Sequence, residues 1–260
     1  MVIADSAFLT RYYQAKRKLE LASMTEELRI SEESLRVTVK KLNLLSSITR
    51  HDILNQVTAL TTYLELARIN TSDEKTARYL LESERIADVI YRQISFTRDY
   101  EEMGVSAPVW QDVADEICKA ASAHHLGKVR LTVDLERLEI FADPLFEKIF
   151  YNLIDNALRY GGEQLSVIRI SAKEVPGGLH LTCEDDGEGI RFEEKERIFR
   201  KGFGKHTGFG LFLVQEILSI TGMTITENGI PGQGARFVIM VPEGAFRYAV
   251  HLSVRDTPLP

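Results

Sequence analysis

The chain has 260 residues, 44% hydrophobic and 27% charged, with a net charge of -6; that is length for two modest domains and a composition ordinary for a globular protein. The mild acidic balance lacks the basic footprint that nucleic acid requires, and no run of about 18 apolar residues is present to span a bilayer. The start "MVIADSAFLTRYYQAKRKLE" has no signal-like apolar core, and Cys118 and Cys183 match no metal spacing and read as free thiols of a reducing compartment, so the expected location is the cytoplasm.

The first hundred residues contain no proline, and the first glycine is Gly104, which predicts long helices. Leu21, Leu28, Leu35 and Leu42 recur every seven residues, with a weaker second seam at Met24, Ser31, Thr38 and Leu45. This is a coiled coil with polar defects, expected over residues 1–46 as a signalling stem. The apolar pattern runs on through Leu54, Val57, Leu64 and Ala67. Within it, "ITRHDILNQVTAL" sets His51, Asp52 and Asn55 among Ile48, Ile53, Leu54, Val57 and Leu60. Taken alone, a histidine there reads as a surface or structural residue. The break falls at "INTSDEKTARYL", where Thr71 and Glu74 fit a capping box. A second helix follows through Tyr79, Ile86, Ile90 and Ile94 to about Tyr100.

The result is an αα-hairpin over residues 47–102. One hairpin cannot bury its apolar stripe, and two can, as a four-helix bundle with two-fold symmetry. The expectation is therefore a homodimer; the alternative is a monomeric hairpin covered by the second half of the chain.

Residues 103–109, with Gly104 and Pro108, read as a linker. Beyond them glycines cluster and short β-like runs appear ("VRLTVDL", "LSVIRISAKE", "LHLTCEDD", "ARFVIMVP"). Helical segments lie between these runs ("QDVADEICKAASAH", "PLFEKIFYNLIDNALRYG", "GLFLVQEILSIT"). Residues 110–246 are expected to form an α/β sandwich, a mixed or antiparallel sheet covered by helices on one side. The whole chain is then α+β with two domains, and 247–260 is a tail that adds a strand or forms a disordered end.

Four segments of this second half carry unusual chemistry. In "YNLIDNALRYG", Asn152 and Asn156 are one helical turn apart and share a face, where two amides can offer oxygens to a hydrated cation such as Mg2+ beside phosphates; a solvent-facing or capping role is the plain alternative. In "EDDGEGI", Asp185 ends a strand before Gly187 and Gly189, a place where a buried carboxylate can accept from an exocyclic amine, though a simple turn gives the same pattern. "RKGFGKHTGFGLFLV" runs glycine-rich backbone into an apolar helix, a natural anion site, with Lys201 and Lys205 as possible point charges. "GIPGQGARFVIMVP" is a glycine turn into a closing strand.

In their order and spacing these segments resemble the sensor histidine kinases of two-component systems, whose catalytic domain has the Bergerat, or GHKL, ATP-binding fold. "NLIDNALRYG" is similar to the N box, "DDGEGI" to the first glycine box and "IFRKGFGK" to the F box through Phe199 and Phe203. "TGFGLFLV" and "GQGARF" are similar to the second and third glycine boxes, and "RHDILNQV" to the H box in its HD-x-x-N variant. The likeness runs from about Leu42 to about Pro242; His206 stands where many relatives have glycine.

The resemblance implies ATP and Mg2+ as cofactors, Asn156 as metal ligand with Asn152 in support, and Asp185 on the adenine amine. It implies a phosphate contact for Arg159, packing near adenine for Tyr160, and loop backbone around Lys201, Lys205, Thr207, Gly208, Gly210 and Leu211 closing over the phosphates. It implies that His51 attacks the γ-phosphoryl group, that Asp52 orients its imidazole, and that Asn55 positions water for dephosphorylating a partner response regulator. A receiver domain, and a sensor domain or sensory partner outside this chain, are the implied partners, with no nucleic acid. The alternatives are a GHKL-type ATPase and a non-catalytic dimeric scaffold. The first needs a glutamate one turn before the metal-binding Asn, where this chain has Asn152; the second is at odds with the intact pocket residues.

Overall fold

The computed structural model describes residues 2–203 and 208–248; the side chains of residues 2–15, 19–23, 27, 30, 36, 37, 40 and 42–45 are outside it. The heptad side chains of Leu21, Leu42 and Leu45, together with Lys205, His206, Thr207 and most of the tail, therefore lie outside the described residues. In chain order the elements are α1 (Val2–Asn70), α2 (Glu74–Glu102), β1 (Val109–Asp112), α3 (Val113–Ser122), β2 (Arg130–Asp134), β3 (Leu138–Ala142), α4 (Phe146–Tyr160), β4 (Val167–Val175), β5 (Gly178–Asp185), α5 (Gly210–Ser219), β6 (Thr224–Glu227), β7 (Arg236–Pro242) and β8 (Phe246–Tyr248). Contacts group the chain into two compact units, Met1–Gln56 and Val57–Pro260.

The first unit is helical, as the absence of Gly and Pro predicts. Its described seam residues Met24, Leu28 and Leu35 are 60 to 66% exposed, so nothing in the single chain covers them. Among the described residues no helix is long and apolar enough to cross a membrane.

In the second unit, the end of α1 and α2 form the hairpin, tied by Arg68 Nε donating to Glu84 Oε1 at 2.9 Å. The cap of α2 differs from the expected Thr71/Glu74 box. Asp73 is the N-cap, accepting from Thr76 N at 2.8 Å, and Thr71 Oγ1 accepts from Asp73 N. A carboxylate at the N-cap also meets the positive end of the helix dipole, which favours Asp73 over the threonine two residues earlier.

The α/β part holds two sheets. The larger has the order β2-β4-β5-β7-β6, with β2 parallel to β4 and the other pairs antiparallel. Ile168, Ile170, Leu179, Leu181, Cys183, Phe237, Ile239 and Val241 bury one face of it, joining Ile117 of α3, Phe146, Ile149, Phe150, Leu153 and Ile154 of α4, and Val214 and Ile217 of α5 in one core. This period-two alternation is that of a half-covered sheet. The thiol of Cys183, pushed up to about 12 by burial, stays protonated and inert.

The second sheet, β1-β3-β8, is antiparallel; a strand from the stretch that opens the tail was one of the two expectations, and the pairing of β1 with β3 was not among them. The sheet begins inside the expected linker, at Val109, and takes Phe246–Tyr248 from the end of the chain. Its strands have only three to five residues, too short for alternation to stand out. The linker itself is pinned: the buried Asp143 carboxylate accepts from Gly104 N at 3.0 Å and Leu145 N at 2.8 Å.

Candidate nucleotide site

The apolar face of α4 is spent on the core, so its polar residues share the opposite side. Lys148, Asn152, Asp155, Asn156, Arg159 and Tyr160 all line one cavity of about 1060 Å³. The C-terminal end of β5, the N-terminus of α5 and the polar face of α2 (Asp88, Arg92, Ser95, Asp99) complete its wall.

At one end Asp185 closes β5. Its Oδ1 accepts from Gly187 N at 2.9 Å and Ala235 N at 3.2 Å, which leaves Oδ2 without a partner among the described residues. Burial pushes this carboxyl above its ordinary range; the two amides pull the other way. Glycine is required next to it: a Cβ on Gly187 would stand 2.4 Å from Gly161 Cα, at the C-terminal end of α4. Gly189 lines the cavity, whereas Gly187 is buried beneath it.

In the middle, Asn156 presents a buried Nδ2 with no protein partner. Unpaired buried amides are rare and call for a ligand, and rotation of the amide plane puts an oxygen in the same place. Asn152, one turn earlier, donates Nδ2 to Lys148 O at 2.7 Å, directing its Oδ1 elsewhere. That oxygen would be 2.6 Å from a Cβ on Gly210, so Asn152 abuts the N-terminus of α5. No side chain caps that terminus, whose N-cap is Phe209, so its orphan amides are available to an anion. Gly208, Gly210 and Leu211 line the cavity here.

Two of the expected phosphate contacts, Arg159 and Lys201, are otherwise engaged or placed in this arrangement. Arg159 Nε donates to both carboxylate oxygens of Asp155 at 2.8 Å rather than standing free for phosphate. Lys201 is exposed, its Nζ 6.0 Å from the Phe209 ring centre, outside the cavity wall. Tyr160 lines the cavity and is 42% exposed, open to a flat ligand. Of the F-box pair, Phe199 is buried against Phe237 and Phe203 lines the cavity. Sequence reading missed the α2 wall: Arg92 Nη1 donates to Asp155 at 3.2 Å, and Phe96 stacks on Phe209 with ring centres 4.5 Å apart. The i, i+4, i+7, i+11 spacing of Asp88, Arg92, Ser95 and Asp99 was the available signal.

The H-box residues lie in the first unit. His51 Nδ1 is 3.3 Å from Asp52 Oδ1, and Asn55 Nδ2 stands 3.3 Å from Nδ1 and 3.4 Å from Nε2. All three are exposed.

A strand-end carboxylate, a helix bearing two asparagines and a glycine-walled helix N-terminus enclose this cavity, an arrangement similar to that of the Bergerat class of ATP-binding domains. Residues 142–245 match the family described as histidine kinase-, DNA gyrase B- and HSP90-like ATPase. The chain is similar to the sensor histidine kinases, and the matched stretch to their ATP-binding domain.

The alginate biosynthesis sensor protein KinB of Pseudomonas aeruginosa is 36% identical over 124 residues, 45% of this chain and 19% of that protein. The sensor histidine kinase GraS of Staphylococcus epidermidis is 25% identical over 207 residues, 74% of this chain and 58% of that protein. The chain thus spans about a fifth of the first relative's length and somewhat over half of the second's. Among solved structures, full-length ShkA in complex with AMPPNP has a TM-score of 0.55 at 18% identity, covering 79% of this chain and 46% of that one. The histidine kinase AdeS of Acinetobacter baumannii has a TM-score of 0.50 at 22% identity, covering 74% of this chain and 97% of that one. At these identities the likeness is one of fold.

Proposed function

We propose that this chain is an ATP-dependent protein histidine kinase acting in the cytoplasm. Its proposed division keeps the stem 1–46 and the dimerising and phosphotransfer hairpin 47–102 expected from the sequence, while β1 and β8 extend the expected catalytic domain 110–246 to 109–248, at the expense of the linker 103–109 and the tail 247–260. The observation that carries the reading is Asn156 Nδ2, buried and without a partner among the described residues, in a cavity whose other end offers the Oδ2 of Asp185.

In this reading Asp185 accepts from the adenine amine, Tyr160 packs near the base, and the α5 amides at Gly210 and Leu211 hold phosphate oxygens. The Asn156 and Asn152 amides fit a hydrated Mg2+, an ion that takes few protein ligands and neutralises phosphate charge during transfer. Asp52 accepts from Nδ1–H of His51, leaving the Nε2 lone pair as nucleophile. An Nε2–Pγ bond forms, the bond from Pγ to the bridging oxygen breaks, ADP departs, and the imidazolium is balanced by Asp52. The phosphoryl group then passes to an aspartate of a response regulator, and Asn55 positions water for regulator dephosphorylation. A second copy of the stem and hairpin covers the exposed seam, making a homodimer, and the stimulus comes from a sensor outside this chain.

Incubation with γ-labelled ATP and magnesium tests this. Label should appear on His51, be lost in acid, survive alkali and be absent from folded His51→Gln. ATP turnover without protein labelling would instead mark a GHKL-type ATPase.

A further inference from the structure

The cavity has a direction along α4. The Asp185 end meets the C-terminus of α4, because Gly187 packs on Gly161. The N-terminus of α5 meets the helix two turns earlier, because Gly210 packs on Asn152. A nucleotide with its base at Asp185 therefore runs its phosphates toward the N-terminus of α4, past Asn156 and then Asn152. One turn beyond Asn152, about 6 Å further along the axis, stands Lys148.

Lys148 lines the same cavity and is half-buried. Its Nζ lies 5.4 Å from the ring centre of Tyr151, which is itself braced by the His124 ring at 4.4 Å. Among the described residues no carboxylate lies within ion-pair distance of Lys148. The contrast with Arg159, neutralised by Asp155 at the other end of the same helical stripe, is direct. A half-buried cation held by an aromatic face and left without an anion is a site for one.

We propose that Lys148 binds the terminal phosphate of ATP, a contact that distinguishes ATP from ADP and follows the charge developing on the γ-phosphoryl group in transfer. The inference rests on the nucleotide reading above. Because the β- and α-phosphates lie nearer Asn156 and the α5 amides, the contact belongs to the γ-phosphate alone. Lysine suits this role as a mobile point charge, able to follow the group as it moves from ADP to its acceptor.

The test is calorimetric titration of the full chain with MgATP and with MgADP, for wild type, Lys148→Met and Lys148→Arg, each first shown to melt like wild type. Lys148→Gln stands in if the Met variant fails to fold. Lys148→Met should weaken ATP binding about tenfold while changing ADP binding less than about twofold, as expected for one charge-assisted hydrogen bond. Lys148→Arg should recover most of the loss. Equal weakening for both nucleotides would mean that Lys148 acts only through packing on Tyr151, and an unchanged ATP affinity would mean that it does not reach the nucleotide; either overturns the proposal. Failure of wild type itself to bind ATP would overturn the nucleotide reading instead, so the two failures are distinct.

Discussion

Arg92 of α2 donates Nη1 to Asp155 Oδ2 of α4 at 3.2 Å, and the same carboxylate receives Nε of Arg159 at 2.8 Å. Asp155 thus ties the hairpin helix to a guanidinium at the edge of the nucleotide cavity, and phosphate must compete with it for Arg159. Asp155→Asn keeps the shape and removes the charge. ATP binding should tighten by about 3- to 10-fold, the size of a partly screened charge interaction. Hydrogen exchange in the Arg92–Phe96 turn of α2 should rise as the tie loosens. Weaker ATP binding in this variant would show that Asp155 helps to hold the metal.

Asp185 gives a pH prediction. Burial raises its carboxyl above the ordinary range, so the stability linked to it is present at low pH and lost as pH rises through the raised value. Asp185→Asn should leave the nucleotide-free protein as stable as wild type at neutral pH, or more so. The adenine amine needs the ionised form, so wild-type ATP affinity should fall as pH drops through that raised value. The variant should bind about 10- to 100-fold more weakly at neutral pH, the loss of one hydrogen bond to a charged group, and show a flatter pH profile. A wild-type affinity indifferent to pH from neutral down to the ordinary carboxylate range would remove Asp185 from adenine recognition.

Gly210 separates folding from binding. A Cβ there meets only the flexible end of Asn152, with Oδ1 2.6 Å away, and alanine is the better helix former. Gly210→Ala should fold with stability within about 1 kcal/mol of wild type, while pushing the Asn152 amide aside and weakening MgATP binding more than binding of free ATP. Calorimetry with and without magnesium reads the difference; equal effects would take Asn152 out of the metal shell.

Much of this was legible because it rested on local rules. The helix pair followed from a hundred residues without Gly or Pro, and the cavity from the resemblance that the asparagine and glycine segments carry in their order and spacing. What escaped depended on contacts distant in sequence. β1 and β8 are short edge strands that, among the described residues, pair only with β3; their three or four residues are too few for local pattern to decide between strand and loop. Arg92 and Lys148 carry no local mark of a site; only the packing of α2 and α5 along α4 turns them into cavity wall. Thr71 fitted a capping pattern that Asp73 fitted better, two residues on, where boundary signals are weakest.

The HDILN turn divides labour between two neighbours of one imidazole. Asp52 Oδ1 is 3.3 Å from Nδ1 of His51, close enough to hold the tautomer with Nδ1–H and leave Nε2 unprotonated. Asn55 Nδ2 stands almost equally far from both ring nitrogens, at 3.3 and 3.4 Å, so it lies beside the ring and fixes neither tautomer. The carboxylate should therefore govern formation of phosphohistidine, and the amide should not. Asp52→Asn should slow autophosphorylation by about 10²–10⁴-fold, the usual range for a positioned acid–base group, with melting unchanged because both side chains are exposed. Asn55→Ala should autophosphorylate within a few-fold of wild type, yet leave a cognate receiver domain phosphorylated for longer, since its amide is there to hold a water by hydrogen bonds. Rates of label gain on the kinase and label loss from the receiver, measured in the same two variants, decide the matter. A folded Asn55→Ala that fails to take label would make the amide part of the nucleophile's own support, and a receiver that loses phosphate at the wild-type rate would leave Asn55 a surface residue of the helix.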